Sequence, residues 1–164
     1  MALTIRPAGD ADYPAVSAIW SPILEATTIT FANDARPPEV LAGMAADRRA
    51  SGCEFFVADE DGRVLGFATY CQFRAGNGYL TSMEHTVILA PEAWGRGIGR
   101  KLMEAVEDHA RARGAHTMVG VVSGENAEGV AFHAACGYRT CGTLPEVGRK
   151  FGRYLDAVMM VKVL

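Results

Sequence analysis

The chain has 164 residues and a formal net charge of −3, with 49% hydrophobic and 21% charged residues. This length and apolar content predict a single domain that spans residues 1–164. The acidic balance gives no general attraction to nucleic acid or to acidic membranes. The sequence shows neither a basic segment followed by an apolar leader nor a run of about eighteen apolar residues. We therefore expect a cytoplasmic protein without nucleic-acid or membrane partners.

The cysteines and histidines are scattered and form no zinc-type pairs. The four cysteines contain no C-x-x-C pair, and no two of the four histidines lie at ligand spacing on one helix face. The sequence therefore predicts reduced, mostly buried thiols and no metal site.

The first half of the chain predicts strands and helices in alternation. Strands are predicted over residues 3–6, 54–58 and 63–73, and helices after Asp10 and from residue 36 onward. Asp10 is the expected N-cap of the first helix, and Pro22 should kink or end it. In the second helix, Val40 and Leu41 are among the residues expected to face inward.

The second half continues the alternation. Strands are predicted over residues 79–89, 117–122, 138–144 and 154–163, and helices over residues 97–113 and 126–136. Hairpins at the front and a strand-helix-strand unit in the middle imply a mixed α/β (α+β) sheet that helices cover on both faces.

Residues 83–103 carry the most informative pattern, M-E-H-T-V-I-L-A-P-E-A-W-G-R-G-I-G-R-K-L-M. A strand leads through a glycine-rich turn into an amphipathic helix, whose first N–H groups and dipole favour an anion. The motif G-x-x-x-x-G-K-[ST] is absent, and the dinucleotide pattern G-x-G-x-x-G fails because Arg100 occupies the third glycine position. By itself the turn indicates either a phosphate site or a glycine turn needed for packing.

The wider context resembles the acetyl-CoA-binding motif of the GNAT superfamily of N-acetyltransferases. The blocks M-E-H-T-V-I-L, N-A-E-G-V-A-F-H-A-A-C-G-Y and L-P-E-V-G-R-K-F-G-R-Y-L-D are similar to the phosphinothricin and methionine-sulfoximine acetyltransferases within it. This resemblance implies a mostly antiparallel central sheet of six to seven strands. Trp94 departs from the superfamily pattern, which usually begins the motif with Gln or Arg.

The resemblance also implies how acetyl-CoA, the co-substrate, is held. The backbone of Val87, Ile88 and Leu89 would pair with the pantetheine arm as an added strand would. The pyrophosphate would lie on Gly95, Arg96, Gly97, Ile98, Gly99 and Arg100. Asn126 would contact the cofactor through its amide, or it would serve as the N-cap of the following helix, and both roles are compatible.

Two side chains are implied as catalytic. Glu84 would contact the incoming amine or activate it through a water; freeing an α-amine with a pKa of about 8 at pH 7 costs only roughly 1.4 kcal/mol. His133 occupies the position where many relatives carry the tyrosine that protonates the departing thiolate, although core packing is the alternative. His85 should point to the opposite strand face from Glu84, so that both cannot line one pocket without a bulge.

The acceptor site is implied at Arg74, Ala75 and Gly76, together with Glu84. The guanidinium of Arg74 is suited to bidentate pairing with a substrate carboxylate, although a solvated arginine at a strand end is also possible. A basic cluster could add to this site, bind the cofactor phosphates or support a dimer; it consists of Arg149, Lys150 and Arg153.

The sequence thus predicts an N-acetyltransferase that acts on the α-amino group of a small amino-acid-like substrate by direct transfer in a ternary complex. Its substrates would belong to the phosphinothricin, methionine sulfoximine or methionine sulfone class. Two alternatives stay open, an acetyltransferase for protein N-termini or lysines and a non-catalytic acyl-CoA-binding module. The resemblance also implies a homodimer.

Overall fold

A computed structural model describes residues 2–164 as a seven-stranded sheet with four α-helices. In chain order the elements are β1 (Leu3–Pro7), α1 (Tyr13–Ala26), α2 (Pro38–Ala50), β2 (Phe55–Glu60), β3 (Arg63–Gln72), β4 (Ser82–Leu89), α3 (Ile98–Ala112), β5 (Thr117–Ser123), α4 (Ala127–Ala135), β6 (Arg139–Lys150) and β7 (Arg153–Val163). The strand order is β1-β2-β3-β4-β5-β7-β6, with β4 and β5 parallel and the other neighbours antiparallel. The predicted mixed, mostly antiparallel sheet is confirmed.

The helices cover both faces of the sheet because successive strand residues point to opposite sides. Phe67 of β3 and Ile88 of β4 are cross-strand partners and pack in one apolar cluster with α1 and α2. Ala68, the next residue of β3, belongs to a second cluster that contains the buried face of α3. The sheet is therefore the middle layer between two apolar cores.

The entry into α1 differs from the prediction. Asp10 lies in a short 3₁₀ turn, Asp10–Asp12, and Asp12 occupies the boundary of the helix. The Asp12 carboxylate accepts a hydrogen bond from the backbone N–H of Gly9 at 2.7 Å and ion-pairs with Arg6 at 2.8 Å. Asp12 is the N-cap residue of α1, so the prediction of Asp10 as the N-cap is wrong. Asp10 lies in the preceding 3₁₀ turn, which the Asp12 side chain holds against β1.

Pro22 lies inside α1 and does not end it, because the helix continues to Ala26. Proline lacks the backbone N–H that would donate within the helix. The last turn of α1, after Pro22, is nevertheless stabilised by packing and by a hydrogen bond at its C-terminal end. Leu24 is fully buried, and the N–H of Thr27 bonds to the carbonyl of Ile23 at 3.3 Å. Tertiary packing thus outweighs the local preference of proline.

Two further predictions need correction. Val40 is 43% exposed, so the inward face of α2 is narrower than expected. β6 runs to Lys150, well past the predicted end at residue 144. It is the edge strand of the sheet and its register shifts between Leu144 and Gly148, which is where an edge strand tolerates Pro145.

A buried carboxylate connects α3 to the end of the sheet. Glu107 is 3% exposed and accepts hydrogen bonds from the Tyr138 hydroxyl at 3.0 Å and from Lys162 Nζ at 2.6 Å. Lys162 Nζ also donates to the carbonyl of Cys136 at 3.0 Å. Both carboxylate oxygens are therefore paired, as a buried charge requires.

Over residues 2–164, no helix combines the length and apolar character that crossing a membrane requires. The same stretch brings together no group of three or more His, Cys, Asp or Glu side chains that could hold a metal ion. The four cysteines are free thiols.

We expect Glu107→Ala to lower the free energy of unfolding by about 2–4 kcal/mol, because it leaves Tyr138 and Lys162 without their buried acceptor. The neighbouring variant Asp108→Ala removes an exposed ion pair with Arg111 and should change stability by less than about 0.5 kcal/mol. Urea denaturation of both variants measures the difference. Equal losses would show that the Glu107 network adds nothing beyond a surface pair.

Candidate active site

A cleft opens between the two parallel strands of the sheet. β4 and β5 pair over three residues only, from Ser82 with Thr117 to Glu84 with Val119. Beyond this point β4 stays paired with β3 as far as Leu89, and β5 stays paired with β7 as far as Ser123. The two strands therefore diverge, and the β5-facing backbone of the later half of β4 has no strand partner.

Three adjoining cavities form one groove along this cleft. The first, of about 300 Å³, is lined by Glu84, by His133 and by residues 29–32 of the α1–α2 loop. The second, of about 290 Å³, shares His133 and leads along Val87, Ile88 and Leu89 to Trp94 and Gly95. The third, of about 230 Å³, shares Gly95 and is lined by Gly97, Ile98, Gly99 and Arg100. The groove thus runs from a carboxylate to the start of α3.

The glycine turn has the backbone that an anion site requires. Gly95 and Gly97 have φ angles of 72° and 76°, which are left-handed conformations that favour glycine. Gly97 precedes α3, and no side chain caps the helix there. A Cβ on Gly99 would lie 3.0 Å from the Phe132 ring, so this glycine is needed for close packing. The first N–H groups of α3 are consequently free to bind an anion.

The two arginines of the turn are placed differently. Arg100 lines the third cavity and donates a hydrogen bond to the carbonyl of Ala135 at 2.9 Å. The guanidinium of Arg96 pairs with Glu60 of β2 at 2.6 Å, and its side chain does not line the groove. Ile98 is 1% exposed, so its side chain belongs to the core and only its backbone is available to a ligand.

Asn126 is the N-cap of α4. Its Oδ1 accepts a hydrogen bond from the backbone N–H of Gly129 at 2.9 Å, which confirms the capping interpretation. Asn126 also lines both the first and the second cavity. Since the cap uses only the oxygen, the amide nitrogen stays available as a donor to a ligand.

Glu84 is half-buried where the two strands separate. Burial raises the pKa of its carboxyl group, and the positive charge of Arg48 on α2 opposes this shift. A carboxylate with a raised pKa is a stronger base than an exposed one. The residue is thus suited to accept a proton from a group bound in the first cavity.

Glu84 and His85 both line the first cavity, so the prediction that they cannot do so without a bulge is wrong. The register of β4 against β3 is regular. Consecutive residues of β4, 84–88, line the cavity because it runs along the edge of the strand. His85 is 7% exposed and hydrogen-bonded, which confirms it as a packed histidine.

His85 and His133 form a stacked, hydrogen-bonded pair. Their Nε2 atoms are 2.8 Å apart, and the ring centroids are 5.0 Å apart. His133 Nδ1 is 2.7 Å from the carbonyl of Gly129, which can only accept, so this nitrogen carries the proton. In the neutral pair, His133 Nε2 therefore accepts the proton that His85 Nε2 donates. Burial lowers the pKa of both rings.

The predicted acceptor loop lies outside these cavities. Arg74, Ala75 and Gly76 are exposed in the β3–β4 connection, and the guanidinium of Arg74 lies 5.5 Å from the centre of the Tyr79 ring. Gln72 Nε2 holds the loop by donating to the carbonyls of Arg74 and Gly76 at 2.7 and 2.9 Å. The loop joins the end of β3 to the start of β4, and Glu84 lies two residues after that start. The loop therefore lies at the Glu84 end of the groove.

The three residues of the predicted basic cluster contact three different groups. Lys150 is 2% exposed and donates to the carbonyls of Thr30 and Ala32, both at 2.9 Å. Arg153 pairs with Glu125, and the guanidinium of Arg149 lies 5.3 Å from the centre of the Tyr154 ring. These residues stabilise the fold around the groove.

The sequence did not predict that the loop held by Lys150 forms one wall of the first cavity. Residues 29–32 line the first cavity, and a Cβ on Gly148 would lie 2.3 Å from the Phe31 ring. This loop carries no motif. Only the length of the segment between the two predicted helices indicated that it could reach the sheet.

The comparisons with known proteins agree with this geometry. The sequence model of the acetyltransferase (GNAT) family matches residues 19–138. The L-methionine sulfoximine/L-methionine sulfone acetyltransferase of Pseudomonas paraeruginosa is 38% identical over 164 residues, which cover 98% of this chain and 94% of the relative.

Two solved structures show the same fold. The ribosomal-protein-alanine N-acetyltransferase from Brucella melitensis superposes with a TM-score of 0.93 at 37% identity, covering 98% of this chain and 99% of the other. The phosphinothricin acetyltransferase from Sinorhizobium meliloti, solved with acetyl-CoA, superposes with a TM-score of 0.92 at 30% identity, covering 100% and 89%. With the family match over residues 19–138, these relatives show that the chain belongs to the acetyltransferase (GNAT) family.

Proposed function

We propose that this protein transfers the acetyl group of acetyl-CoA to the α-amino group of a small amino-acid-like acceptor. The acceptor belongs to the class of phosphinothricin, methionine sulfoximine and methionine sulfone, as the names of the relatives suggest. The observation that carries the proposal is the unpaired edge of β4, which leads from Glu84 to the glycine turn.

The cofactor arm would occupy this edge. The pantetheine part of acetyl-CoA is a chain of amides, so it can hydrogen-bond to the backbone of Val87, Ile88 and Leu89 as another strand would. The diphosphate would lie on the free N–H groups after Gly97, with Arg100 beside it. A cofactor placed in this way directs its thioester toward Glu84.

Glu84 would act as the base. An α-amine is mostly an ammonium at pH 7, and it needs to lose a proton before it can attack the thioester. The half-buried carboxylate accepts that proton directly or through a water, and attack then proceeds in a ternary complex without a covalent enzyme intermediate. A backbone N–H of β4 would stabilise the oxygen of the tetrahedral intermediate.

His133 is proposed as the donor of the proton that the departing thiolate takes up. Because Gly129 holds Nδ1 and His85 holds Nε2 in a pair that is neutral at rest, the donor is a ring that has rotated away from His85. A thiol with a pKa of about 8.5 also leaves readily as the thiolate. Loss of His133 should therefore slow turnover less than loss of Glu84.

Arg74, Ala75 and Gly76 are proposed to close over the acceptor. Their loop adjoins the Glu84 end of the groove and exposes a guanidinium and the backbone around Gly76. Arginine binds carboxylates and other oxyanions in a bidentate manner. The loop therefore fits the distal acidic group of an acceptor such as phosphinothricin.

A second function is supported by one relative. The Brucella melitensis protein that superposes with a TM-score of 0.93 is a ribosomal-protein-alanine N-acetyltransferase. If this chain had the same function, its acceptor would be the amino group of a protein N-terminus. Free amino acids and peptides with N-terminal alanine therefore belong in the same assay.

We further propose a cytoplasmic homodimer. The four free thiols fit a reducing compartment. The β6–β7 hairpin exposes large apolar side chains that a second copy would cover, namely Leu144, Val147, Phe151 and Tyr154. Sedimentation equilibrium should give twice the mass of the chain, and a monomer at all concentrations would contradict the dimer.

Release of the coenzyme A thiol tests the function. With acetyl-CoA present, we expect turnover with phosphinothricin, methionine sulfoximine or methionine sulfone, and much less with peptides that begin with alanine. Both substrates should be required for release, because transfer is direct. A preference for peptides would favour the second function, and binding of acetyl-CoA without release on any amine would leave only a non-catalytic module.

Glu84→Gln should lower kcat by about 100-fold or more while the affinity for acetyl-CoA stays unchanged. Because the working form is the carboxylate and burial raises its pKa, wild-type kcat/KM should fall as the pH drops through a value above that of an exposed glutamate. The variant should lack this limb of the pH profile. The same profile in both proteins would remove Glu84 from the role of base.

A further inference from the structure

Trp94 exposes a large indole beside the glycine turn. Its side chain is 58% exposed, whereas Trp20, the other tryptophan of the chain, is buried. Within residues 2–164 no aromatic ring packs on the Trp94 indole and no cation lies over it. The proposed function leaves this residue without a role.

The backbone holds Trp94 in place on both sides. Ala93 is buried, and the N–H of Trp94 donates to the carbonyl of Pro91 at 3.2 Å. Gly95 follows with its left-handed φ of 72°. Trp94 lines the second cavity together with residues 87–89 of β4, and it does not line the third cavity. The residue therefore lies at the end of the strand edge, directly before the turn.

The second and third cavities meet at an apolar junction. Leu89, Gly95 and Phe132 line both cavities, and Trp94 adjoins Gly95 in the chain. A Cβ on Gly99 would lie 3.0 Å from the Phe132 ring, so α4 packs this ring closely against the start of α3. An aliphatic side chain and two aromatic rings thus surround the passage from the strand edge to the turn.

The order of groups in coenzyme A determines which part reaches this junction. The pantoyl unit lies between the amides of the pantetheine arm and the diphosphate, and one of its carbons carries two methyl groups. The amides are proposed to follow residues 87–89, and the diphosphate to lie on the N–H groups after Gly97. The pantoyl unit then falls between the two, where the lining is apolar.

Few cationic side chains are available to the diphosphate. Among the described residues that line the third cavity, Arg100 is the only charged one. The guanidinium of Arg96 is paired with Glu60 at 2.6 Å. Position 94 carries an indole where the superfamily pattern usually has Gln or Arg. An apolar contact at the junction would therefore add affinity that side-chain charge does not supply.

We propose that Trp94 covers the two methyl groups of the pantoyl unit of coenzyme A. This inference rests on the proposed function and assigns Trp94 as a cofactor-binding residue. The contact removes apolar surface of the indole and of both methyl groups from water. Burial of two methyl groups corresponds to a change of about tenfold in a dissociation constant.

Calorimetry with coenzyme A and two of its fragments tests the contact. Phosphopantetheine lacks the adenosine nucleotide, and 3′-phospho-ADP lacks the pantetheine arm. Trp94→Ala should raise the Kd of coenzyme A and of phosphopantetheine alike, by about 5- to 20-fold, and should leave that of 3′-phospho-ADP unchanged. Val40→Ala shortens an exposed apolar side chain that lines none of the three cavities, so it should alter no Kd.

Tryptophan fluorescence gives a second readout that needs no turnover. Phosphopantetheine should change the emission of the wild type, because it covers the exposed indole. Trp94→Phe leaves buried Trp20 as the one tryptophan, so this change should disappear. The phenyl ring should nevertheless retain part of the affinity that Trp94→Ala loses. Thermal melting should be the same for all variants, because the indole is exposed.

Two outcomes would overturn the inference and leave the proposed function intact. Weaker binding of coenzyme A and 3′-phospho-ADP by Trp94→Ala, with phosphopantetheine unaffected, would place the indole on the adenine ring. Unchanged Kd values for every ligand, or a wild-type emission that does not respond to phosphopantetheine, would make Trp94 a surface residue only. A wild-type protein that binds no coenzyme A would overturn the proposed function as well.

Discussion

The groove depends on the short parallel ladder between β4 and β5, which ends at Glu84 and Val119. Each strand keeps its antiparallel partner on the outer side, so the sheet stays continuous while its centre opens. The backbone groups that face the opening would be costly if they were sealed away from water and ligand. A ligand with its own amide groups satisfies them, so the same feature that interrupts the sheet provides its binding edge.

A pair of neutral histidines packs beside this opening. A Cβ on Gly120 of β5 would lie 3.0 Å from His133 and 3.1 Å from His85, so the absence of a side chain at this position leaves room for both rings. Burial lowers the pKa of each ring, and the pair therefore carries no charge at neutral pH. Positive charge in the groove then comes from the start of α3 and from Arg100, which lines the third cavity. An anionic group is therefore favoured at the α3 end of the groove, whereas the centre of the groove is uncharged.

The sequence predicted the parts of this site that follow from local rules. A strand, a glycine turn and a helix in succession determine where an anion can bind, and the side chain of Asn126 caps the helix that follows Ser123 as expected. The role of Lys150 could not be predicted in this way. Lys150 bonds to carbonyls 120 and 118 residues away. That α1 continues past Pro22 could not be predicted for the same reason, since burial of Leu24 outweighed a local preference.

The walls of the first cavity limit what the acceptor can be. Lys150 is buried and binds two carbonyls of the α1–α2 loop, and the Phe31 ring of that loop lies against Gly148. This wall is therefore held by contacts that would be lost if it moved away from the sheet. Opposite it, β4 is fixed by its register with β3. A cavity of about 300 Å³ between two such walls suits a compact acceptor. Because burial also commits Lys150 to the loop, recognition of charge in this cavity is left to Glu84, whose carboxylate suits the amino group of a small acceptor.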